Sequence, residues 1–168
     1  KHRIAWLFIL MFSSTITGSI ITKYKNAFAA IPLLVSFIPM LMDTGGNCGS
    51  QSSTLIIRGI ALGEIRFSDL FRVMFKEFRV SLIVGVVLAL ANGLRILIMY
   101  RNAGLALVIG LSLVATVIIS KLIGCLLPLF AKKLHMDPAI MASPLITTLV
   151  DTCSILIYFN IATRIFQL

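Results

Sequence analysis

The sequence predicts an all-α integral membrane protein with five transmembrane helices and one amphipathic surface helix. Three observations lead there. Hydrophobic residues make up 59% of the 168 residues and mean hydropathy is +1.05, whereas soluble domains hold about 45–50% apolar and about 25% charged residues. Charged residues here are only 12%. The apolar residues fall into runs matching the roughly 20 residues that a bilayer crossing requires. The bases behind the formal net charge of +9 stand at the ends of those runs, where they set topology against anionic lipid. The lipid bilayer is thus the expected partner, and nucleic acid is not.

The first span is expected over residues 4–22, between Lys1-His2-Arg3 and Lys23-Tyr24-Lys25, with Trp6 and Tyr24 as interfacial aromatics. Its Ser13, Ser14, Thr15, Thr17, Gly18 and Ser19 suit close helix packing, with hydroxyls bonded to their own backbone. The second covers residues 27–63. As one helix it would run about 50 Å through a core of about 30 Å, so it must tilt, kink or protrude. Pro32 and Pro39 predict a kink.

Residues 64–79 carry the charge pattern of the surface helix. Arg66, Asp69, Arg72, Lys76 and Arg79 recur on one side, and Phe67, Leu70, Phe71, Met74, Phe75 and Phe78 occupy the other, with Ser68 as a candidate cap. The third span follows over residues 80–100. The fourth covers 103–130, where Gly104, Gly110 and Gly124 permit close packing and Lys121 is expected to snorkel toward Lys132 and Lys133. Asp137-Pro138 suits a helix start, and the fifth span covers 139–166.

Five spans place the termini on opposite sides. With Lys1 inside, the inner side holds Lys1, Arg3, Arg58, Arg66, Arg72, Lys76, Arg79, Lys132 and Lys133, and the outer side Lys23, Lys25, Arg95, Arg101 and Arg164. That bias puts the N-terminus in the cytoplasm and the C-terminus outside, in a plasma (inner) membrane. Cys48, Cys125 and Cys153 form no CxxC pair and read as small packing residues. The first residue is Lys1 and no signal peptide is apparent, so a soluble N-terminal portion is expected to precede this chain.

Chemistry concentrates in two stretches. Asp43, Asn47 and Gln51 are spaced four apart, so on a helix their oxygens form one line, and Gly45, Gly46 and Gly49 remove bulk beside it. Ser143, Thr147 and Asp151 repeat the spacing near the C-terminus. Of the six acids, only Asp43 and Asp151 fall at membrane depth, where an ionised carboxylate usually faces a wet path or a partner. Oxygen-only surroundings suit a hard cation. One or two carboxylates are too few for a Ca²⁺ cage but enough for a Mg²⁺ that keeps most of its waters. Mn²⁺ and Co²⁺ are further candidates. A symmetric dimer would double the carboxylates.

The run from Ile31-Pro32 through Asp43-Thr44-Gly45-Gly46-Asn47-Cys48-Gly49-Ser50-Gln51 to Gly63-Glu64-Ile65 resembles the second membrane helix of the MgtE family of magnesium channels. The later run, Asp137-Pro138-Ala139, Ser143-Pro144-Leu145 and Thr148-Leu149-Val150-Asp151, is similar to the family's fifth helix. The resemblance implies a homodimeric pore lined by the second and fifth helices of each subunit. It implies that Asp151 holds hydrated Mg²⁺, with Ser143 and Thr147 nearby, and that Gly45, Gly46 and Asn47 stand beside the pore. It further implies cytoplasmic regulatory domains, one helical and a CBS pair, ahead of the first span.

Other readings are an ion-coupled secondary transporter built on broken helices and an intramembrane aspartic protease. The second would pair Asp43-Thr44-Gly45 with Asp151-Thr152 as a proton-sharing dyad. Asp-Thr-Cys in the second copy breaks that motif, so the expectation is a protein that is not an enzyme.

Overall fold

A chain in lipid must bond its own backbone N–H and C=O groups, and helices do so locally. The computed structural model describes residues 2–135, 137–138 and 143–167, less the side chains at 2, 3, 5, 6, 9, 28 and 143. The expected start of the fifth span at 139–142, the position of the Trp6 ring and the Ser143 side chain lie outside the described residues. Those residues form helices and no strands: α1 (His2–Lys23), α2 (Lys25–Ala30), α3 (Ile38–Ala61), α4 (Leu70–Tyr100), α5 (Ala103–Lys133) and α6 (Ser143–Phe166). Three segments, Phe67–Tyr100, Ala103–Lys133 and Pro144–Phe166, are long and apolar enough to cross a membrane.

The expected second segment is broken as its prolines predict. Ile31, ahead of Pro32, leaves the helical region at φ −135° and ψ 83°, since a following proline disfavours the α conformation. A 3-10 stretch over Pro32–Phe37 then leads into α3. Tyr158 on α6 donates its hydroxyl to the Leu34 carbonyl at 2.8 Å, tying the irregular stretch to the bundle.

The surface helix expected over residues 64–79 is not a separate element. After a turn at Gly63, whose φ of 73° suits glycine, a 3-10 turn at Phe67–Asp69 leads into α4, unbroken over 31 residues. No glycine or proline interrupts Leu70 to Val84, so the charged stretch and the apolar run propagate as one helix of about 46 Å. Ser68 is not its cap: in the preceding turn the Arg66 backbone N–H donates to Asp69 Oδ2 at 2.9 Å. At the start of α5 the Asn102 side chain accepts from Leu105 N–H at 2.9 Å, a regular N-cap.

Helix directions alternate. Gly45 and Gly49 of α3 face Val150 and Ile146 of α6, so that pair is antiparallel, while Gly45 also meets Thr116 and Gly49 meets Gly124, so α3 and α5 are parallel. In α4, Gly85 meets Val114 and Val117 of α5, and Ala89 meets Gly110, an antiparallel pair. α1 runs along α6 through a Thr17–Thr152 hydroxyl contact of 2.9 Å and a stacked Tyr24–Phe159 pair at 4.8 Å. As expected, several α1 hydroxyls bond their own helix: Ser14 to Met11 O, Ser19 to Thr15 O and Thr22 to Gly18 O.

Two apolar cores cap the bundle, one around Leu34, Leu41, Ile109, Ile155 and Phe159 and the other around Ile56, Cys125 and Leu129. Between them lies a layer of small and polar residues: Gly45, Gly49, Ser52, Thr116, Ser120, Lys121 and Gly124. The predicted ion-path residues fall at that layer's level.

Candidate ion path

α3 is two-faced. Gly45, Gly49, Ser52, Ile56 and Gly59 recur at three- and four-residue steps and are buried, whereas Asp43, Asn47, Gln51, Thr54 and Arg58 follow the same rhythm on the exposed side. The predicted line of one carboxylate and two carboxamides is therefore a real stripe. Asp43, Asn47 and Gln51 make no hydrogen bond or ion pair with the described residues.

The glycines have a different task from the polar line. A Cβ on Gly45 would lie 2.7 Å from Val150 Cγ1 and 2.8 Å from Thr116 Cγ2, and one on Gly49 would lie 2.8 Å from Ile146 Cγ2. On Gly46 it would meet Thr147 Cγ2 at 3.2 Å. Gly45 and Gly46 thus turn inward to α5 and α6 and let α3 approach them. Asn47 is the member of the Gly-Gly-Asn stretch whose side chain points out.

On α6, Thr147 is half-buried, turning its methyl toward Gly46 while its hydroxyl donates to the Pro144 carbonyl at 3.0 Å. Asp151 is half-buried and makes no hydrogen bond or ion pair with the described residues. The antiparallel register, Gly45 against Val150 and Gly49 against Ile146, places Asp43 and Asp151 at the same level on adjacent helices. The structure thus brings Gly46 and Thr147 into contact and Asp43 level with Asp151.

Sequence reasoning missed a second polar cluster. Lys121, expected to snorkel, is 5% exposed, with Nζ 3.6 Å from Glu77 Oε2. Glu77, expected on a surface helix, is itself buried, and Ser52 joins the pair: its hydroxyl donates to Glu77 Oε2 at 2.6 Å and accepts from Lys121 Nζ at 3.2 Å. The signal was present. Glu77, Ser81 and Gly85 are spaced four apart and all are buried, so Glu77 belongs to the packing face of α4. The three cysteines are free thiols, Cys48 and Cys125 buried. Among the described residues no group of three or more His, Cys, Asp or Glu could hold a metal ion.

Residues 38–161, from the first residue of α3 into the last two turns of α6, match the family model described as MgtE, a divalent cation transporter. The chain is 40% identical over 162 residues to the magnesium transporter MgtE of Bacillus subtilis (strain 168), covering 96% of this chain and 36% of that protein. It is 36% identical over 167 residues to the magnesium transporter MgtE of Thermus thermophilus, covering 98% of this chain and 36% of the relative. Against the Enterococcus faecalis protein of that name the identity is 34% over 163 residues, 97% of this chain and 36% of the relative. The chain thus spans little more than a third of the length of these relatives. The match runs through both polar helices and the glycine layer between them, and it places the chain in a family of transporters rather than enzymes: it belongs to the MgtE family of divalent cation transporters.

Proposed function

We propose that this chain is the pore domain of a Mg²⁺ channel, in which two copies enclose a path for partly hydrated Mg²⁺ lined by α3 and α6 of each subunit. The observation carrying this reading is the set of unpaired polar side chains on helices that otherwise pack through glycine and apolar residues. Asp43, Asn47 and Gln51 lie exposed along α3, and Asp151 stands level with Asp43 on α6. Such side chains are too costly to present to lipid. A second copy across a two-fold axis would turn both stripes toward shared water.

In this reading α1, α3, α4, α5 and α6 are the five spans. Asp151 is the charged ligand, acting through the ion's water shell, and Asp43, Asn47, Thr147 and Ser143 supply further oxygens around that shell. Gly45 and Gly46 serve the path by bringing α3 against α6. Rings of charge and oxygen of this kind select ions by field strength and fit.

Orientation follows from the basic residues. The end carrying Arg58, Arg66, Arg72, Lys76, Lys132 and Lys133 is cytoplasmic by the positive-inside bias, in a plasma (inner) membrane. The extra length of the relatives leaves room for cytoplasmic regulatory domains of the helical and CBS kinds.

The test is Mg²⁺ flux into proteoliposomes holding the purified chain, with and without Asp151→Asn. Flux in the unaltered chain and a marked loss of divalent selectivity in the variant support the reading. Unchanged flux and selectivity in Asp151→Asn overturn it.

A further inference from the structure

The buried Ser52–Glu77–Lys121 junction joins α3, α4 and α5 at one point. Ser52 is 0% exposed, Lys121 5% and Glu77 7%. Ser52 Oγ is its centre, donating to Glu77 and accepting from Lys121. Taking a lysine and a glutamate out of water is expensive, and a buried pair of this kind is often no more stable than well-packed apolar residues of similar volume. Stability is therefore a poor account of it. The better-attested use of buried polar groups is to specify register.

Its location shows which register is at stake. One turn before Ser52 stands Gly49, and one turn after Lys121 stands Gly124. A Cβ on Gly124 would fall onto the Gly49 carbonyl, so here the two helices meet backbone to backbone. The tight fit at Gly45 and Gly49 leaves no room for a side chain and so blocks large rotations of α3 about its own axis, but a face without Cβ atoms offers less resistance to small ones. The bonds of Ser52 supply that resistance. Consecutive helical residues point about 100° apart, so the rotation that aims Ser52 inward also aims Gln51, and with it Asn47 and Asp43, outward.

We propose that Glu77 and Lys121, acting through Ser52, are positioning residues for the ion path: they hold the rotation of α3 and so the aim of the Asp43–Asn47–Gln51 line. This rests on the Mg²⁺ path proposed above. None of the three touches the transported ion.

The test uses the full chain with Cys48, Cys125 and Cys153 replaced by alanine. Two changes are compared, the double variant Glu77→Met with Lys121→Met, and Ser52→Ala, which leaves the ion pair in place. Unfolding temperature in detergent establishes that each variant folds. Rotation is read by the rate at which a water-soluble maleimide labels Gln51→Cys against half-buried Ser50→Cys, and transport by the Mg²⁺ dependence of uptake. The double variant should fold yet shift the labelling ratio and raise half-saturating Mg²⁺ by about fivefold or more, with maximal rate within about twofold. Ser52→Ala, which removes both bonds to α3, should move both readouts in the same direction and to a similar extent. Unchanged labelling ratio and half-saturation in folded variants would show the junction to be structural only and overturn the proposal. Should the double variant fail to fold, Ser52→Ala decides by the same two readouts. A shifted labelling ratio in a chain whose unaltered form passes no Mg²⁺ would leave α3 positioned by the junction and would refute the channel reading instead.

Discussion

Gly49 on α3 and Gly124 on α5 bring two helix backbones into direct contact: a methyl group placed on Gly124 would fall onto the Gly49 carbonyl oxygen and carbon. The obstacle is backbone, not the flexible end of a side chain, so Gly124→Ala must push the helices apart. Overpacking of this kind costs about 1–3 kcal/mol, and separating α3 from α5 also disturbs the adjacent Ser52–Lys121 bond. Gly93→Ala on α4 is the contrast, since nothing lies within 4 Å of a Cβ there and alanine favours helix by about 1 kcal/mol. Unfolding temperatures in one detergent should fall for Gly124→Ala and hold or rise for Gly93→Ala.

Tyr158→Phe should destabilise the fold without touching the ion path. The Tyr158 hydroxyl donates to the Leu34 carbonyl at 2.8 Å, and both residues are fully buried. Deleting the hydroxyl removes the tie between α6 and the 3-10 stretch at an expected cost of about 1–2 kcal/mol. A lower unfolding temperature together with unchanged Mg²⁺ half-saturation is the expected pair of results.

Features set by local spacing were legible in the sequence. The Asp43–Asn47–Gln51 line follows from four-residue spacing on any helix, and the break before α3 follows from Pro32. The role of Gly45 was half legible. A missing side chain invites close approach, but that Thr116 and Val150 fill the space is a tertiary fact. The continuity of α4 was obscured because its two halves differ in composition, one charged and one apolar, though both propagate as helix. Position along the chain sets Lys121 near Lys132, whereas its partner Glu77 lies on another helix, a proximity that sequence distance does not carry. Glu77 sits among charged neighbours in sequence, but its four-residue spacing to Ser81 and Gly85 marks the packing face.

A dimer joined through the α3 stripe predicts where copies crosslink. In the cysteine-free background, Asn47→Cys should give a dimer with a bifunctional thiol reagent in liposomes. Ile83→Cys, 67% exposed on α4, should not, because in this arrangement α4 faces lipid. Crosslinking through Ile83→Cys but not Asn47→Cys would place α4 at the interface and remove the shared path.

Asp151 and Asp43 stand level with one another yet should differ in what they contribute. Asp151 is half-buried on α6, with no carboxamide beside it on its own face, so in the proposed path its charge would be the main hold that helix offers a divalent ion. Asp43 is exposed and shares its stripe with Asn47 and Gln51, whose carboxamides orient water without charge. A carboxylate about 5 Å from a hydrated divalent ion attracts it by about 1.7 kcal/mol even with the screening of bulk water, and by more in a narrower, drier path. Asp151→Asn keeps size and hydrogen bonding but loses that attraction, so half-saturating Mg²⁺ should rise by about tenfold or more, and selectivity over monovalent ions should fall. Asp43→Asn should raise half-saturation by less, because the remaining oxygens of its stripe still hold the water shell. Uptake of Mg²⁺ and of K⁺ measured side by side for both variants checks this, and an Asp43→Asn loss equal to or greater than that of Asp151→Asn would move the principal ion ligand from α6 to α3.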